Sequence, residues 1–578
     1  MRIKLAKTAG FCMGVRRAMD IVLDKINGKE NIYTYGPLVH NPQAIEMLES
    51  RGVKVLHELD EEISGTVIIR AHGVPPQELA MIQGTGLKIL DATCPRVMKV
   101  QAIIKMQVKE GFNIIIVGDR EHPEVVGLLG FCQGRGMVVS SIEDVNHLPE
   151  EMKKVSVVAQ TTQDTSEFER IAKKIQEKFS EVKIFNTICN STAKRQNEVL
   201  QLTKNVDGIV VIGGRDSGNT QRLVKISEST GTRTFHVETE EDLDLKKLAG
   251  LSSIGITAGA STPSWMINRV VEKIENFQRE QRPLLLRLWS NFLEFLINGN
   301  LYVAFGAGCL TYVSCLLQGI DPKLSYLLIA GSYVFAMHVL YYFTDRDAAK
   351  FNDPGRAEFY KRHREIFITL VILSALVSLF LSFQIGLETF LFFSIIFLFG
   401  LMYGVTIIPK GLRKILKYKT LKDIPGSKTL FVALAWGAVI SVPPALAVNQ
   451  RVSISTGIAF LFVSILVFVR SAFFDITDIQ GDRIVGKETI PIIIGEGKTK
   501  NLLRFLLGIT LLILLASYPL GFTPSMSYPL LACVFYAYTY LMIYERKMIS
   551  HGILLESMVE SNFVLGWLVA LAWLFFVL

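Results

Sequence analysis

Long uncharged apolar runs fill the second half of the chain, from about residue 284 to its end, and restrict its fold more than any other sequence feature. Runs of this length are typical of transmembrane helices. Residues 1–282 instead have the mixed charge of a globular protein. The sequence therefore predicts a soluble module at 1–282 and an all-α polytopic membrane module at 283–578. Nine candidate spans lie roughly at 298–319, 324–344, 366–386, 389–408, 429–449, 452–469, 505–519, 526–544 and 561–578.

The distribution of basic residues predicts how the membrane module is oriented. The first residues, Met1 to Lys7, lack the apolar core of a signal peptide, so the soluble module is expected in the cytoplasm. The loops after the second, fourth, sixth and eighth spans then face inward, and they hold nearly all the lysines and arginines of this half. The positive-inside rule supports this orientation. We expect a multi-pass protein of the inner (cytoplasmic) membrane that does not bind nucleic acid, because its basic residues cluster beside the spans.

Three of the seven cysteines stand in similar surroundings. Cys12, Cys94 and Cys189 each precede a basic, helix-compatible segment, and the last two end strand-like runs. A helix start with nearby cations should lower the pKa of a thiol and prepare it to bind metal. No pair has the C-x2–4-C spacing of a structural zinc site. Three lone thiolates fit an iron–sulfur cluster in which one iron keeps an open position; three buried structural cysteines are the alternative.

Three histidines also recur in similar surroundings. His40, His72 and His122 each follow a strand-like run and stand just before a proline. The alternating strand and helix patterns predict an α/β module with short parallel sheets, and their repetition predicts three related lobes around a common centre. A strand, glycine turn and helix start at 207–220 offers backbone N–H groups to an anion. Each histidine alone is more often a core or capping residue, but together they favour a diphosphate pocket.

Seven motifs in the soluble module resemble one known family. Gly-Phe-Cys-x-Gly-Val, Ala-His-Gly, Ala-Thr-Cys-Pro, His-Pro-Glu, Gln-Thr-Thr, Ser-Gly-Asn-Thr and Gly-Ala-Ser stand in order between Met1 and about Gln281. They resemble the LytB (IspH) family of 4-hydroxy-3-methylbut-2-enyl diphosphate reductases. The resemblance implies reductive removal of the allylic hydroxyl to give isopentenyl and dimethylallyl diphosphate, the last step of the non-mevalonate isoprenoid pathway. Reduced ferredoxin or flavodoxin is the implied electron donor.

The same resemblance assigns roles to individual residues. It implies that Cys12, Cys94 and Cys189 bind a [4Fe–4S] cluster whose fourth iron takes the substrate hydroxyl. The implied catalytic residues near that hydroxyl are Glu124, Thr161 and His122, and Glu124 is the expected proton donor. The implied contacts to the substrate diphosphate are His40, His72, His122, Ser217, Gly218, Asn219 and Ser261.

Two predicted inward loops of the membrane module carry acidic residues. Asp475, Asp478 and Asp482 are spaced to lie on one helical face, where their repulsion favours a bridging Mg²⁺; a solvated acidic loop is the alternative. The other loop begins at Asp345. Together the two loops resemble the UbiA family of intramembrane prenyltransferases, over about 284–578. The first aspartate motif of that family is incomplete here, because Tyr341, Tyr342 and Ala349 occupy three of its positions, and Asp347 and Asp353 are the candidates to compensate.

The second resemblance implies binding of Mg²⁺ and a prenyl diphosphate, and transfer of the prenyl group to an unknown acceptor within the lipid bilayer. The implied Mg²⁺ and prenyl diphosphate ligands are Asp345, Asp475, Asp478 and Asp482. The expected contacts to the leaving pyrophosphate are Arg346, Arg356, Lys422 and Lys487. Two other interpretations stay open. The membrane half could be a non-catalytic anchor or lipid-diphosphate binder, or the soluble half could be an iron–sulfur redox sensor of a membrane protein.

Overall fold

The structure is a computed structural model that describes residues 1–26, 30–58, 63–344, 351–403, 424, 426–449, 451–546 and 552–577. The chain divides into two compact units, Met1–Gln278 and Arg279–Leu578. The first unit is an α/β structure and the described part of the second is helical, as the sequence predicts.

The first unit contains three four-stranded parallel sheets. Their strands are β1 (Arg2–Leu5), β2 (Ile32–Tyr35), β3 (Val53–Leu56), β4 (Thr66–Ile69), β5 (Lys88–Asp91), β6 (Asn113–Val117), β7 (Gly136–Val139), β8 (Lys154–Ala159), β9 (Glu181–Phe185), β10 (Gly208–Ile212), β11 (Arg233–Val237) and β12 (Ser253–Ala258). Their helices are α1 (Met13–Ile26), α2 (Pro42–Glu49), α3 (Pro76–Gly84), α4 (Pro95–Lys109), α5 (Pro123–Leu129), α6 (Thr165–Lys178), α7 (Asn190–Thr203), α8 (Gly218–Ser229) and α9 (Ser264–Glu280), with 3-10 turns at Glu143–His147 and Leu245–Leu248.

The three sheets repeat one topology. Their strand orders are β3-β2-β4-β5, β7-β6-β8-β9 and β11-β10-β12-β1. In each sheet the first strand of the repeat lies between the second and third, and the fourth is at the edge. The fourth place of the last sheet is filled by β1, from the start of the chain. The predicted threefold repetition is therefore confirmed. In the third sheet, β1 from the start of the unit pairs with β12 near its end.

Apolar β-branched residues explain why the inner strands form. The strands β6, β8 and β10 are almost entirely buried, which is usual for parallel strands covered by helices on both faces. Because all the strands in a sheet are parallel, their carboxyl ends lie at the same edge. The loops that leave those ends carry the predicted site residues.

The second unit is built from helices. They are α10 (Leu284–Asn298), α11 (Leu301–Leu317), α12 (Leu324–Thr344), α13 (Pro354–Arg362), α14 (Arg364–Ile385), α15 (Leu387–Met402), α16 (Ser427–Asn449), α17 (Ile454–Thr477), α18 (Ile479–Val485), α19 (Ile490–Ile494), α20 (Glu496–Ser517), α21 (Leu531–Glu545) and α22 (Ile553–Val577), with a 3-10 turn at Ser525–Ser527.

The described helices do not confirm the predicted count of nine spans. Seven are long and apolar enough to cross a membrane, and α10 with α11 make an eighth only if this pair, bent by 71°, is one span. The apolar helix α15 is shorter than these seven, of which the one that contains α21 begins at Ser525. Large apolar side chains such as Leu376, Phe380 and Phe383 on α14 are exposed, as lipid-facing side chains are in a multi-pass membrane protein.

Candidate active sites of the two units

Every predicted site residue of the first unit follows the carboxyl end of a strand. Such loops are where open parallel sheets bind ligands. The strand that precedes each residue is β1 for Cys12, β2 for His40, β4 for His72, β5 for Cys94, β6 for His122 and Glu124, β8 for Thr161, β9 for Cys189, β10 for Ser217, Gly218 and Asn219, and β12 for Ser261.

The three cysteines each stand immediately before a helix. Cys12 precedes α1, Cys94 precedes α4 and Cys189 precedes α7. A Cβ atom added at Gly14 would lie 2.5 Å from the Cys94 Sγ and 3.9 Å from the Cys12 Sγ. Two sulfur atoms therefore flank one glycine, and any larger residue at this position would fill the space between them.

The protonation of Cys94 differs from the sequence-based expectation. Burial raises the pKa of the Cys94 thiol, although hydrogen bonds from the backbone N–H groups of Arg96 and Val97 oppose the shift. The charges of Cys12 and Cys189 raise it further. The expected lowering was wrong for this thiol, because desolvation outweighs the helix start. Three thiols that interact in this way around a glycine-lined space fit a cluster held by three thiolates.

The three histidines meet in one cluster. Their ring centroids are separated by 4.4 Å for His40 and His72, 5.1 Å for His40 and His122, and 5.5 Å for His72 and His122. One ring nitrogen from each lies within 4.8 Å of the others. Burial lowers the pKa of all three, to about 4 for His122, so the imidazoles are neutral near pH 7. The backbone N–H of Glu124 donates to the His122 Nδ1 at 3.1 Å, which leaves the Nε2 of this ring as the donor.

Several buried polar atoms beside the histidines lack a hydrogen-bond partner among the described residues. They are the His40 Nε2, the His72 Nδ1 and both side-chain amide atoms of Asn219. Buried polar groups are nearly always paired in native proteins, so a group of unpaired ones marks the place of a polar ligand. Among these atoms the Asn219 Nδ2 can donate to an anion, and so can a ring nitrogen that carries a proton.

The hydroxyl-bearing loops complete this pocket. Ser217 caps α8 by accepting a hydrogen bond from the Thr220 backbone N–H. The Ser261 Oγ donates to the backbone carbonyl of His40 at 2.9 Å and so connects the loop after β12 with the loop that carries His40. A Cβ atom at Gly218 would lie 3.5 Å from the His122 ring. The same Cβ atom would lie 3.0 Å from the Arg222 Nη1, so the glycine leaves room for this guanidinium group beside the start of α8.

Glu124 and Thr161 form the second part of the pocket. The Thr161 backbone N–H donates to the Glu124 Oε1 at 2.6 Å, and the Thr161 Oγ1 donates to the Oε2 at 2.8 Å. The side chain of Glu124 is 2% exposed. Burial raises the pKa of Glu124, although the hydrogen bonds from Thr161 oppose the shift. A buried carboxyl group with a raised pKa is suited to donate a proton.

Two buried arginines of the first unit were not assigned a site role from the sequence. Arg222 donates to the Gln163 side chain at 2.7 Å, to Asp119 at 2.9 Å and to the Gly218 carbonyl at 3.2 Å. Arg195 donates to the carbonyls of Ala258 at 2.6 Å and Gly10 at 2.9 Å. The sequence marks Arg195 only as one of the basic residues after Cys189.

Arg195 also lies close to two of the cysteines. Burial lowers the pKa of Arg195 to about 10, and the charges of Cys12 and Cys189 oppose that shift. Its Nε has no hydrogen-bond partner among the described residues. A buried cation therefore stands beside the thiols and holds the loop that presents Cys12.

In the second unit, two of the predicted aspartates have identified partners. Asp475 and Asp482 are each 1% exposed. Asp475 accepts a hydrogen bond from the Thr429 Oγ1 and pairs with Lys428, whose Nζ is 3.5 Å from the Oδ1.

Asp482 has two partners of its own. It accepts from the Asn352 Nδ2 at 3.0 Å and pairs with Lys487 at 3.5 Å. Asn352, Lys428 and Thr429 were not predicted, since no aspartate motif includes them.

The remaining residues predicted for this unit have different positions. Arg356 pairs with Glu556 at 2.6 Å and with Asp353 at 3.5 Å. The Asp353 side chain also caps α13 by accepting from the Arg356 backbone N–H. Asp478 follows α17 directly, between the two aspartates described above. The predicted residues that lie outside the described part of the chain are Asp345, Arg346, Asp347 and Lys422.

Comparisons with known proteins assign the two halves to different families. Residues 3–275 match the LytB protein family, and residues 361–550 match the UbiA prenyltransferase family. The 4-hydroxy-3-methylbut-2-enyl diphosphate reductase of Geobacter sulfurreducens is 43% identical over 282 residues, which are 49% of this chain and 100% of that protein. The enzyme of the same name from Caldanaerobacter subterraneus subsp. tengcongensis is 42% identical over 285 residues, 48% of this chain and 99% of that protein.

Solved structures match the same two regions. One of (E)-4-hydroxy-3-methyl-but-2-enyl diphosphate reductase is 40% identical and covers 48% of this chain and 100% of its own, with a TM-score of 0.39. One of a UbiA homolog from Archaeoglobus fulgidus bound to GPP and Mg²⁺ is 14% identical and covers 48% of this chain and 98% of its own, with a TM-score of 0.37. Because the two family matches do not overlap, the predicted fusion is confirmed.

Proposed function

Because the first half of this chain belongs to the LytB protein family and its second half carries a UbiA prenyltransferase domain, we propose that it is a bifunctional isoprenoid enzyme. The first half reduces 4-hydroxy-3-methylbut-2-enyl diphosphate to isopentenyl and dimethylallyl diphosphate. The second half transfers a prenyl group to an acceptor within the membrane. The observation that carries the first assignment is 43% identity over the full length of a reductase.

The [4Fe–4S] cluster of the proposed reductase is held by Cys12, Cys94 and Cys189. When bound, such a cluster supplies electrons and an iron that weakens the carbon–oxygen bond of the substrate. The overall reaction consumes two electrons and two protons and releases the hydroxyl group as water. Reduced ferredoxin or flavodoxin supplies the electrons. Gly14 supports this role, since a Cβ atom at its position would clash with the Cys94 Sγ and would also contact the Cys12 Sγ.

The histidine cluster binds the diphosphate of the substrate in this proposal. His40, His72 and His122 are neutral in the free protein because burial lowers their pKa values. A diphosphate at their centre supplies negative charge, which favours protonation of the rings. Asn219 and the hydroxyl groups of Ser217 and Ser261 stand beside it. The contacts to the diphosphate, which is distant from the reacting hydroxyl, supply binding energy that holds the hydroxyl end of the substrate in place for the reaction.

Glu124 donates a proton to the departing hydroxyl group. Its carboxyl group is protonated at a higher pH than that of an exposed glutamate, because burial raises its pKa. Thr161 donates a hydrogen bond to each carboxyl oxygen of Glu124 and so fixes the orientation of the carboxyl group toward the substrate. His122 is joined to the Glu124 backbone and keeps its Nε2 proton available to the substrate.

An anaerobic preparation of the full chain tests the reductase assignment. We expect about four irons per chain and conversion of 4-hydroxy-3-methylbut-2-enyl diphosphate to five-carbon diphosphates when a reduced one-electron donor is added. Cys94→Ser should lose both iron and turnover. Cys132→Ala, at a buried cysteine outside the cluster, should keep both. Bound zinc in place of iron would exclude the reductase, and an iron–sulfur cluster that never reduces the substrate would exclude it and favour the redox sensor.

The membrane half binds Mg²⁺ through Asp475, Asp478 and Asp482, with Asp345 as the ligand from the first loop. Carboxylates gathered at one place favour a divalent cation that bridges them to a diphosphate. Lys487 and Arg356 are the described candidates to contact the leaving pyrophosphate, with Arg346 and Lys422. In a cell, this half is a multi-pass domain of the inner membrane with the reductase on its cytoplasmic side.

A single substitution separates this activity from a passive anchor. Asp478→Asn should abolish Mg²⁺-dependent binding of geranylgeranyl diphosphate by the full chain in nanodiscs and leave the reductase unchanged. Asp321→Asn, at an exposed position before α12, is the matched control. Unchanged binding in Asp478→Asn would show that Asp478 does not hold the cation, and no Mg²⁺-dependent binding by the unaltered chain would identify the membrane half as a passive anchor.

A further inference from the structure

The helix α10 has an apolar face that nothing in the described part of the second unit covers. Leu285, Leu288, Trp289 and Phe292 follow one another at spacings of three and four residues, so they lie on one side of the helix. Each of these side chains is more than half exposed. A continuous exposed face of leucine and aromatic side chains is uncommon on a soluble surface and marks a binding surface.

The opposite face of α10 is polar and is used within the second unit. Glu294 on this face pairs with Arg279. Asn298 at the end of the helix accepts a hydrogen bond from Arg356 at 3.5 Å. These contacts fix the rotation of α10 about its axis, so the apolar face points away from the residues that hold the helix.

A sharp bend separates α10 from the first span. The axes of α10 and α11 differ by 71°, and Asn300 between them has φ of +58°, in the left-handed region. The helix α11 has 17 residues, or about 25 Å at 1.5 Å per residue, which is near the lower limit for crossing the hydrocarbon core. A helix of this length can therefore cross a membrane without the residues of α10.

We propose that α10 lies in the membrane interface and that its Leu285, Leu288, Trp289 and Phe292 face binds lipid. The lipid surface is the occupant because α10 runs directly into a transmembrane span and turns away from it at a steep angle. Tryptophan prefers the boundary between headgroups and acyl chains, and an amphipathic helix buries its apolar face at that depth. This contact is distinct from the ligand contacts of both proposed reactions.

The seated helix also has a consequence for the membrane domain. Its last residue, Asn298, contacts Arg356, which in turn pairs with Glu556 on the last span. Arg356 is one of the residues expected to contact pyrophosphate. Lipid binding by α10 therefore keeps Asn298 in position to accept the hydrogen bond from Arg356.

Fluorescence quenching by brominated lipids tests the depth of Trp289. The full chain is reconstituted in vesicles of phosphatidylcholine brominated at a shallow, middle or deep position of the acyl chain. The difference between the unaltered chain and Trp289→Phe gives the quenching of this tryptophan. We expect the strongest quenching from bromines nearest the headgroups. Strongest quenching from deep bromines would mean that α10 is part of a broken span, and no quenching would mean that lipid does not cover it.

A matched variant moves the probe to the other face of α10. Asn291→Trp in the Trp289→Phe background places a tryptophan on the polar side of the same helix, at an exposed position. We expect loss of the shallow quenching. Equal quenching at both positions would contradict a helix seated by one face. Both measurements require a folded, inserted chain but no enzymatic activity, so their outcome is independent of the proposed reactions.

Discussion

The two units present opposite chemistry to ligands that we propose are both diphosphates. The first unit offers neutral imidazoles and unpaired amide atoms, such as the His40 Nε2 and the Asn219 side chain. The second unit offers carboxylates, and its buried Asp475 and Asp482 already pair with lysines and accept hydrogen bonds. A diphosphate can enter the first site directly, whereas it is repelled at the second unless a cation joins it to the aspartates.

One chemical group can therefore be bound in two ways that depend on different solution conditions. The histidine cluster should bind more tightly as pH falls and should not depend on Mg²⁺. The aspartate cluster should require Mg²⁺. Substitutions that affect one cluster and not the other therefore test whether the two sites are distinct in their physical basis.

The largest effect is expected in the first unit from Glu124→Gln. The amide cannot supply the proton, so the rate of reduction should fall by about 10²- to 10⁴-fold. In the unaltered chain the rate should also fall as pH rises through the raised pKa of Glu124, since the protonated form is lost. Steady-state rates across pH check both statements.

Glu121→Gln, at an exposed neighbouring position, serves as the control for Glu124→Gln and should keep the full rate. A Glu124→Gln chain that reduces substrate at the original rate would remove Glu124 from the mechanism. Prenyl diphosphate binding by the second unit should be the same in both variants.

In the second unit, Thr429→Val should weaken Mg²⁺ binding by about 10- to 100-fold, as expected when a group that holds a metal ligand is removed. The Thr429 Oγ1 donates to Asp475, and valine has the same shape without the donor. The Mg²⁺ dependence of geranylgeranyl diphosphate binding measures the effect. Thr510→Val is the matched control, because the Thr510 Oγ1 bonds only a carbonyl of its own helix in the described structure. Equal Mg²⁺ affinities in the two variants would show that the Thr429 hydrogen bond does not position Asp475 for Mg²⁺ binding.

A smaller effect is expected from pH on the histidine cluster. Burial lowers the pKa values of His40, His72 and His122 in the free protein, and bound diphosphate should raise them again. Binding of inorganic pyrophosphate should therefore take up protons and strengthen as pH falls from about 7 to 5, by about tenfold per pH unit for each proton taken up.

Calorimetry in buffers of different ionisation enthalpy measures this uptake. His57→Gln, at an exposed histidine, should leave it unchanged, whereas His72→Gln should reduce it. Release of protons on binding, or an affinity that rises with pH, would contradict a cluster of neutral histidines.

The smallest effect is expected from Ser261→Ala, which removes the hydrogen bond to the His40 carbonyl. One such bond contributes about 0.5–1.5 kcal/mol, so pyrophosphate affinity should fall by no more than about tenfold. Ser227→Ala removes a buried serine bond to the Leu223 carbonyl, away from the pocket, and should not change the affinity. A loss in Ser227→Ala equal to that in Ser261→Ala would mean that the effect is one of general stability.

Local patterns in the sequence were sufficient to predict the architecture of the first unit. In this unit a strand is repeatedly followed by a reactive side chain. Because the strands in each sheet are parallel, these side chains lie at one edge of the sheet. The three lobes, the fusion and the helical second half are confirmed. The pattern could not show that burial would raise the pKa of Cys94, because burial is set by segments far away in sequence.

Long-range contacts explain what the sequence did not reveal. Arg195 bonds carbonyls that lie 63 and 185 residues away, and Asn352 reaches Asp482 across 130 residues. No local pattern indicates which carbonyl or carboxylate such a side chain will meet. The bend at Asn300 was missed for a related reason, since the apolar composition continues through α10 and α11 and hides the change of direction.

One measurement tests most directly whether the two sites differ in their need for a cation. The full chain in nanodiscs is assayed for reduction of 4-hydroxy-3-methylbut-2-enyl diphosphate and for binding of geranylgeranyl diphosphate, each with Mg²⁺ and with a chelator in its place. We predict that chelation abolishes the binding and leaves the reduction unchanged. Binding that survives chelation, or reduction that is lost together with it, would contradict a cation requirement confined to the membrane site.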